Sequence, residues 1–509
     1  MTVVAGSNKR DVIPRWRNLN DTIANGEIGP RGSSSRLDDR SERELARSRR
    51  DWENDQSQVK AAEFISTGLV LGVPSQVQDA VSSLLTQELP PALERLVKVV
   101  GIDSADDATT VRLPEVSFDD VQLYAAIAGL KQSLIREPRR PLAWLEIARL
   151  YSQLGQTKSA SQSISRSLYL APENRFILRS AAAFYTNLGD PERAHSLLVS
   201  ARRTESDPWL IAAELATASR SKKKPKYAKK GLAMVEEAQF RNLALSELGA
   251  GLATIESRSG HDKRAKKLIK IALSNPTENA VAQVESLSES DKSIDSPVGA
   301  LDLPSAFEAR ARKELDIGNW VDSFDSAELW FADQPFSTEA AVFASYVALS
   351  GLRDFDLAGK FAKKGMKANP QDAGLANNAA VAAIELGNYL EAEDLLKRAL
   401  ELEAPRHTRI ALEATIGLLE FRLGHLAEGR AKYEEAIRMA QGESNQNQHA
   451  LASIMLAREE VRLHTEMAAS AMQRAERLIK RTDSKVIGSW LRTVEEDFKR
   501  VPDPRVKTN

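Results

Sequence analysis

Three pairs of adjacent glutamates are the residues of this chain whose type best suits acid–base chemistry. The pairs are Glu236–Glu237, Glu434–Glu435 and Glu459–Glu460. A catalytic acid and base must both reach one substrate, whereas neighbouring residues of a helix project in different directions. Each pair also lies in a helical stretch rich in lysine and arginine. We therefore interpret all three pairs as exposed helix faces held by salt bridges.

The histidines and cysteines predict neither a metal site nor a nucleophile. The six histidines are scattered and no two have metal-ligand spacing: His195, His261, His407, His425, His449 and His464. Cysteine is absent, which excludes disulfides, thiolate metal sites and thiol nucleophiles. The chain also lacks the motifs of phosphate loops, dinucleotide-binding turns, zinc proteases and serine hydrolases. The sequence thus predicts a non-enzymatic protein with no cofactor and no metal.

Two runs of basic residues are the candidate site for an anionic partner. They are Lys222, Lys223, Lys224, Lys226, Lys229 and Lys230, then Lys263, Arg264, Lys266, Lys267 and Lys270. We call them the basic ridge and expect both runs on second helices of neighbouring hairpins. A ridge of lysines can neutralise phosphates, but it lacks a series of interleaved aromatics for base stacking. We interpret the ridge, represented by Lys223, Lys226, Lys263 and Lys267, as a solvated face. An acidic protein and a nucleic acid are the alternatives.

Charge and composition narrow the class of partner. Lysine and arginine total 70 against 71 aspartates and glutamates, so the molecule has no overall field that attracts nucleic acid or an anionic membrane. The most apolar stretch, residues 64–73, is far shorter than the roughly 20 residues that span a bilayer. The first residues do not predict a secretory signal. We expect a cytoplasmic protein without membrane contact, for which nucleic acid is not the default partner.

Small and aromatic residues recur along the chain with a constant step. Tyr151 and Tyr185, and Gly155 and Gly189, are each 34 residues apart. A period in this range indicates a solenoid of helical hairpins, in which each hairpin buries its apolar face only against its neighbours. The length of 509 residues therefore counts repeats rather than one large core.

Residues 141–174 carry the fullest version of the repeat. Eight residues fall where tetratricopeptide repeats place Trp, Leu, Gly or Ala, Tyr, Gly, Ala, Phe and Pro: Trp144, Ile147, Ala148, Tyr151, Gly155, Ala160, Ile164 and Pro172. The chain resembles that family over about residues 120–285 and 305–440. The resemblance implies an all-α protein, an alpha-alpha superhelix in two blocks with flanking helices. Physically, a small Ala160 lets two helices approach closely, and Gly155 turns the chain.

Changes of composition divide the chain into seven predicted segments. They are a mobile N-terminal arm (1–60), short N-terminal helices (61–118), tetratricopeptide block one (119–285), a linker (286–304), block two (305–445), C-terminal capping helices (446–500) and a tail (501–509). The linker is rich in Ser, Asp and Pro and loses the helical periodicity. We expect the capping helices to cover the open end of the array, since an unpaired hairpin leaves apolar surface in water.

In tetratricopeptide proteins the first helix of each hairpin lines a concave groove that takes a peptide. The resemblance implies that groove positions here include Arg149, Arg179, Thr186, Asn187, Asn377, Asn378 and Val381. Asn378 stands where the family's carboxylate clamps place an Asn. Such a clamp needs Lys, Asn and Arg from three consecutive repeats, and this sequence separates its arginines from Asn378 by the linker. A helix-packing role and a contact to a peptide backbone are the alternatives for Asn378.

The segment Val12–Arg17 places Trp16 between two arginines and beside a proline, inside polar chain. This composition is typical of a short docking motif, and Trp16 is a candidate partner-binding residue. The alternatives are that Trp16 packs on the protein's own helices or has no contact.

Together these patterns predict a scaffold or adaptor that binds one or more partner proteins on its helical surfaces. The second hypothesis is a regulatory subunit of a separately encoded enzyme, possibly one that acts on nucleic acid. The sequence leaves the partner and the oligomeric state open.

Overall fold

The computed structural model describes residues 15–16, 39–70, 74–87, 89, 93, 97, 120–237, 240, 242–291, 293–443, 445–482 and 484–500. Within these residues all regular structure is helical, which confirms the predicted all-α class. The chain divides into two compact units between Ala306 and Phe307, here called the N-terminal and C-terminal units. None of the described helices has both the length and the apolarity that a membrane crossing requires.

The N-terminal unit contains thirteen described α-helices. They are α1 Asp39–Asn54, α2 Gln58–Val70, α3 Gln78–Leu85, α4 Asp120–Arg136, α5 Pro141–Gln153, α6 Thr157–Leu170, α7 Arg175–Asn187, α8 Pro191–Ser200, α9 Pro208–Arg220, α10 Ala228–Glu236, α11 Asn242–Arg258, α12 Asp262–Ala272 and α13 Glu278–Ser290. Helices α1 to α3 share a small core around Trp52 and Phe64, whose rings stack 5.6 Å apart. From α5 onward, consecutive helices pair as hairpins, and the first helices α7, α9, α11 and α13 pack in order.

The C-terminal unit repeats this arrangement. Its described helices are α14 Phe307–Ile317, α15 Trp320–Asp333, α16 Thr338–Val347, α17 Phe355–Ala368, α18 Ala373–Glu385, α19 Tyr389–Glu401, α20 Arg406–Leu423, α21 Leu426–Gly442, α22 Gln446–Arg462, α23 Ala468–Ile479 and α24 Lys485–Arg500. Helices α14 to α23 form five hairpins, of which the first helices are α14, α16, α18, α20 and α22. A π-helical turn, Ala348–Leu352, extends α16.

The turn between the two helices of a hairpin takes a left-handed residue. Glycine supplies it at Gly155, Gly189, Gly260, Gly318, Gly387 and Gly424. Lys222, Arg353 and His464 hold the same conformation with φ of 54°, 58° and 52°. A side chain makes this conformation unfavourable by roughly 1–2 kcal/mol per residue. These three turns therefore adopt the left-handed conformation without a glycine, at a cost in stability.

Polar caps define where many first helices begin. A side-chain oxygen accepts a backbone N–H of the first turn at Asn174, Asp207, Thr277, Ser337, Asp372 and Asn445. Each cap satisfies an N–H group that has no partner within the helix. These caps mark the start of six first helices, whereas Arg140 before α5 and Pro405 before α20 provide no side-chain cap.

Several boundaries differ from those that composition predicts. Helix α1 lies inside the predicted arm, and α13 continues through Ser290, five residues into the predicted linker. Residues 1–14 and 17–38 of the arm, together with residues 98–119 and the tail, lie outside the described residues. Residues 286–290 are mostly polar, and their composition therefore predicted a linker. Ser286 and Leu287 are nevertheless buried in the N-terminal unit, so these residues belong to the helix.

Helix α24, the last of the predicted capping helices, packs mainly against α22 and α23 of the final hairpin, and it also contacts α14 and the π-helical turn after α16. Lys485 Nζ donates a hydrogen bond to the carbonyl oxygen of Ile317, at the end of α14, over 3.1 Å. We call the surface of first helices on which α24 lies the C-terminal groove.

Helices α20 and α21 approach closely at two facing glycines. A Cβ atom on Gly417 would lie 2.8 Å from the Tyr433 ring and 3.0 Å from the carbonyl oxygen of Gly429. A Cβ on Gly429 would lie 2.6 Å from the Phe421 ring. These glycines allow α20 and α21 to approach closely, as a small residue such as Ala160 does in another hairpin.

Replacing Gly417 with alanine should therefore destabilise the chain by about 1–3 kcal/mol, the usual cost of overpacking a core. Gly129→Ala is the matched control, because a Cβ there meets no atom within 4 Å and α4 should gain about 0.5–1 kcal/mol. Urea unfolding followed by circular dichroism measures both. Equal midpoints for the two variants would contradict the close approach.

Candidate functional site

A buried ion pair joins first helices of the N-terminal unit. Arg179 of α7 donates hydrogen bonds of 2.9 and 2.8 Å to the two carboxylate oxygens of Glu247 on α11. The two residues are 68 positions apart, which is twice the repeat step. Between them, the guanidinium lies 4.8 Å from the ring centre of Trp209 on α9. Asn279 of α13 also donates to Glu247, over 3.1 Å.

This arrangement corrects the expectation that Arg179 faces an open groove. Its side chain is only 4% exposed, and its charge is satisfied by Glu247. Arg149 is also engaged within the protein, because its Nε lies 3.0 Å from both carboxylate oxygens of Glu146 on the same helix. Asn187 is half-buried at the end of α7. As partner-binding residues, Arg149 and Asn187 stay predictions.

Asn377 and Asn378 are fully buried, so neither side chain reaches a groove surface. Asn378 Nδ2 donates to Ser345 Oγ of the preceding first helix over 3.1 Å. Asn377 Oδ1 accepts from Thr415 Oγ1 of the following first helix over 2.8 Å. The structure therefore favours the helix-packing alternative. These amides hold α16, α18 and α20 side by side.

Trp16 also has its contacts within the protein. It is 1% exposed, and its ring meets Phe184 of α7 edge-on with centroids 6.0 Å apart. Arg15 Nη1 donates to the carbonyl oxygen of Ser305 over 3.3 Å. Of the three alternatives for Trp16, the structure favours packing on the protein's own helices.

The basic ridge is exposed, but only Lys229 and Lys230 of its first run lie on a second helix, α10. Lys223 and Lys226 belong to the turn before α10, whereas Lys263 and Lys267 lie on α12. The four side chains are all exposed. Part of the surrounding charge is paired, since Lys230 Nζ lies 2.5 Å from Glu205 and Arg264 lies 3.2 Å from Glu236.

A buried glutamate fixes the turn that carries the first lysine run. Glu214 of α9 is inaccessible to solvent and accepts the backbone N–H of Lys226 over 2.8 Å. Its carboxylate also contacts His195 Nε2 over 2.9 Å. This His–Glu pair has a structural role, because it joins α8 to α9 inside the N-terminal unit. The turn is thus held from the inside while its lysines face outward.

The C-terminal unit contains a larger network of buried charges. Arg422 of α20 lies 2.9 Å from Glu385 of α18 and 3.1 Å from Glu459 of α22. Successive members are 37 residues apart, so the same helix position alternates in charge across three hairpins. Arg458 adds ion pairs of 2.6 Å to Glu385 and 2.9 Å to Glu459.

Burial and the neighbouring charges act in opposite directions on this network. Burial raises the pKa of Glu459, but the guanidinium groups of Arg458, Arg422 and Arg462 outweigh it and hold the pKa below its usual value. Burial likewise lowers the pKa of Arg458, yet Glu459 and Glu385 together raise it above its usual value. The network is therefore ionised and internally compensated.

The interpretation of Glu459–Glu460 as an exposed face is wrong. Both residues are at most 1% exposed, and Glu460 accepts a 2.9 Å hydrogen bond from Arg430. The composition of the stretch predicted salt bridges correctly but not their burial. Glu236 and Glu434 do lie at partly exposed ion pairs, with Arg264 and Arg474.

Helix α24 brings an aromatic side chain onto this network. The ring of Trp490 has the guanidinium of Arg353 4.5 Å from its centre and that of Arg458 at 5.4 Å. Arg353 Nη2 also donates to Thr493 Oγ1 over 2.6 Å. Arg353 follows the π-helical turn and has a left-handed backbone conformation. From this position its guanidinium group faces α24.

A cavity of about 20 Å³ lies beside Trp490, with room for about one water molecule. It is lined from first helices by Val381, Glu385, Leu418 and Met455, among others. The cavity is too small for a metabolite. What the groove accommodates in this structure is a helix.

Sequence reasoning missed Glu385, Arg422, Arg458 and Glu459 as a unit. One signal could have found part of it, namely the alternation of Glu, Arg and Glu at a constant step of 37. That step exceeds 34 because α20 and α21 have 18 and 17 residues. A search limited to the 34-residue step therefore does not align these charges.

Glu459→Gln should lower the free energy of unfolding at pH 7 by about 3–5 kcal/mol, because it leaves buried arginines uncompensated. The depressed pKa of Glu459 means that its contribution is complete above the unfolded carboxyl pKa of about 4.3 and is lost as pH falls below it. Urea unfolding at several pH values should thus show the gap between wild type and variant narrowing below about pH 4.

The control for this prediction is Glu236→Gln, which removes a half-exposed partner of Arg264. A surface pair of this kind contributes about 0–1 kcal/mol. A gap for Glu459→Gln that stays constant from pH 7 to pH 3 would contradict the ionised network.

A family model described as the tetratricopeptide repeat matches residues 142–174 and 373–405. These ranges cover the hairpins α5–α6 and α18–α19. No curated protein matches the chain.

Similar solved structures have low sequence identity to this chain. Yeast Tom70 is 13% identical, with 76% of this chain and 94% of that chain covered and a TM-score of 0.30. The APC/C hetero-tetramer Cut9-Hcn1 is 11% identical, with 88% and 92% covered and a TM-score of 0.39. A human IFIT1 dimer with PPP-AAAA is 15% identical, with 76% and 95% covered and a TM-score of 0.35.

The matched hairpins have the features that the resemblance implied, including a left-handed glycine at each turn and buried Ala160 and Ala392 on the second helices. Paired helices of the same kind continue through both units. The chain therefore contains tetratricopeptide repeats at these two hairpins, within an all-α array of paired helices.

Proposed function

We propose that the protein is a non-enzymatic scaffold that holds partner proteins on its tetratricopeptide surfaces. The observation that carries this proposal is that the C-terminal groove already holds a polypeptide helix, α24, by one apolar face and two arginines. A surface with that shape and chemistry suits a helix in a groove, a recurring mode of peptide recognition.

The ionisable groups of the groove support binding rather than catalysis. Glu385 and Glu459 each contact arginines at ion-pair distance, and the depressed pKa of Glu459 favours a permanent charge over proton transfer near neutral pH. A general acid or base would need a pKa near the working pH. The cytoplasmic location expected from composition stays a prediction.

The basic ridge is a second candidate surface, with an acidic protein segment as its proposed partner. Of its exposed lysines, Lys223 and Lys226 lie on a turn whose backbone Glu214 holds, and Lys263 and Lys267 lie on α12, so the backbone that carries them is ordered before any partner arrives. Rim charges of this kind chiefly raise association rates and make them salt-dependent. The regulatory-subunit hypothesis uses the same surface, with a separately encoded enzyme as the partner.

Co-purification of the full chain at native abundance, with stoichiometry from mass spectrometry, tests the proposal. We expect several proteins below one copy per chain for an adaptor, whereas a single enzyme at one copy supports the regulatory hypothesis. Absence of any reproducible partner, or a turnover that survives rigorous purification, would refute the scaffold.

Reversing the charge of the basic ridge separates its contribution to partner binding from that of the C-terminal groove. The quadruple variant with Glu at positions 223, 226, 263 and 267 should unfold within about 0.5 kcal/mol per site of wild type, since all four lysines are exposed. It should lose those partners whose wild-type binding weakens with salt. Partners retained in full by this variant would show that the ridge is only a solvated face.

A further inference from the structure

Helix α24 lies on the C-terminal groove by one face. Five of its 16 residues are buried: Val486, Ile487, Trp490, Leu491 and Val494. They follow the spacing i, i+1, i+4, i+5, i+8, which is one face of a helix. The second helices α19 and α23 are similarly one-sided, with three of 13 and four of 12 residues buried. Unlike them, α24 has no hairpin partner of its own and contacts the first helices α14 and α22 as well as α23.

Three polar contacts supplement this apolar face. Lys485 binds the carbonyl oxygen at the end of α14, Thr493 accepts from Arg353, and Trp490 lies against the guanidinium groups of Arg353 and Arg458. Cation–π contacts of partly buried arginines strengthen as water is excluded. These contacts select an aromatic residue at the centre of the bound helix.

The groove side of the contact exists independently of α24. Arg458 is fixed by Glu385 and Glu459, and these are in turn fixed by Arg422, so the cation that meets Trp490 is positioned by the array itself. The cavity of about 20 Å³ beside the ring shows that α24 leaves some of the groove unfilled. A second helix of the same pattern would find a preformed surface.

We propose that α24 is a displaceable occupant of the C-terminal groove and that a partner binds there by replacing it. The occupant is an amphipathic α-helix of about four turns with bulky apolar residues at i, i+1, i+5 and i+8 and an aromatic residue at i+4. This inference rests on the proposed scaffold function and names the chemistry of its partner. In the absence of that partner, α24 covers the apolar surface and keeps other helices out.

Hydrogen exchange of the full chain tests the displacement directly. Amides of 485–500 should exchange at least tenfold faster than those of α18 and α22, through an opening that leaves the array folded. Arg353→Gly should accelerate exchange of 485–500 further, although it relieves a left-handed backbone. Lys222→Gly relieves the same backbone in the other unit and should leave exchange of 485–500 unchanged.

A labelled synthetic peptide with the sequence of residues 485–500 serves as the probe for binding in trans. Trp490→Ala and Thr493→Val weaken only the covalently attached helix, so the peptide should bind either full-length variant at least tenfold more tightly than it binds wild type. Lys499→Ala, at an exposed position of α24, is the matched control and should bind the peptide as wild type does. A peptide that itself carries Trp490→Ala should lose at least tenfold in affinity.

Two results would overturn the proposal. One is peptide affinity that is no higher for folded Trp490→Ala and Thr493→Val chains than for wild type. The other is exchange of 485–500 that occurs only with unfolding of α18, because α24 would then be an integral part of the core. Thr493→Val keeps the test valid if Trp490→Ala fails to fold, since it removes one hydrogen bond without a cavity.

The peptide assay and the co-purification fail in distinguishable ways. If the chain binds the peptide as described but has no cellular partner, the displaceable helix is supported and the scaffold function is refuted. If the chain has cellular partners but the peptide does not replace α24, the scaffold function is supported and displacement at this groove is refuted.

Discussion

Buried ion pairs between first helices of neighbouring hairpins and of hairpins two apart are the interaction on which the stacking of this solenoid depends. Arg179 and Glu247 join α7 to α11, and Glu385, Arg422 and Glu459 join α18, α20 and α22. Removing a charge from water is unfavourable by several kcal/mol unless a partner of opposite charge is in place. A hairpin displaced by one residue would therefore leave a buried charge unpaired. The apolar contacts supply most of the stability, but the buried charges determine which hairpins pack against each other.

The sequence predicts local features of this fold well. The turn glycines and the pattern from Trp144 to Pro172 depend on contacts within a single hairpin, so each can be recognised where it occurs. Lys222 and Arg353 could not be recognised as left-handed turns, because their conformation is imposed by the helices on either side. Repeat spacing places such turns to within a few residues, but only packing assigns the backbone conformation.

The candidate site was predicted less well, for a related reason. A first-helix position indicates that a residue faces the inside of the array, but not whether another element covers it. Asn377 and Asn378 are covered by neighbouring first helices, and Trp16 packs against α7. Helix α24 has an apolar face that the sequence shows plainly, yet periodicity does not say which surface receives that face. Long-range placement of this kind requires the three-dimensional structure.

The position of α24 has a consequence for how the C-terminal unit unfolds. A stack of hairpins that touch only their neighbours can fray from either end, as a one-dimensional chain of weakly coupled units does. Helix α24 touches both α14 and α22, the first helices of the opening and final hairpins. It therefore ties the two ends of a linear array to each other, so that neither terminal hairpin melts alone. With α24 in place the unit behaves cooperatively, like a globular domain, and without it like an ordinary open repeat array.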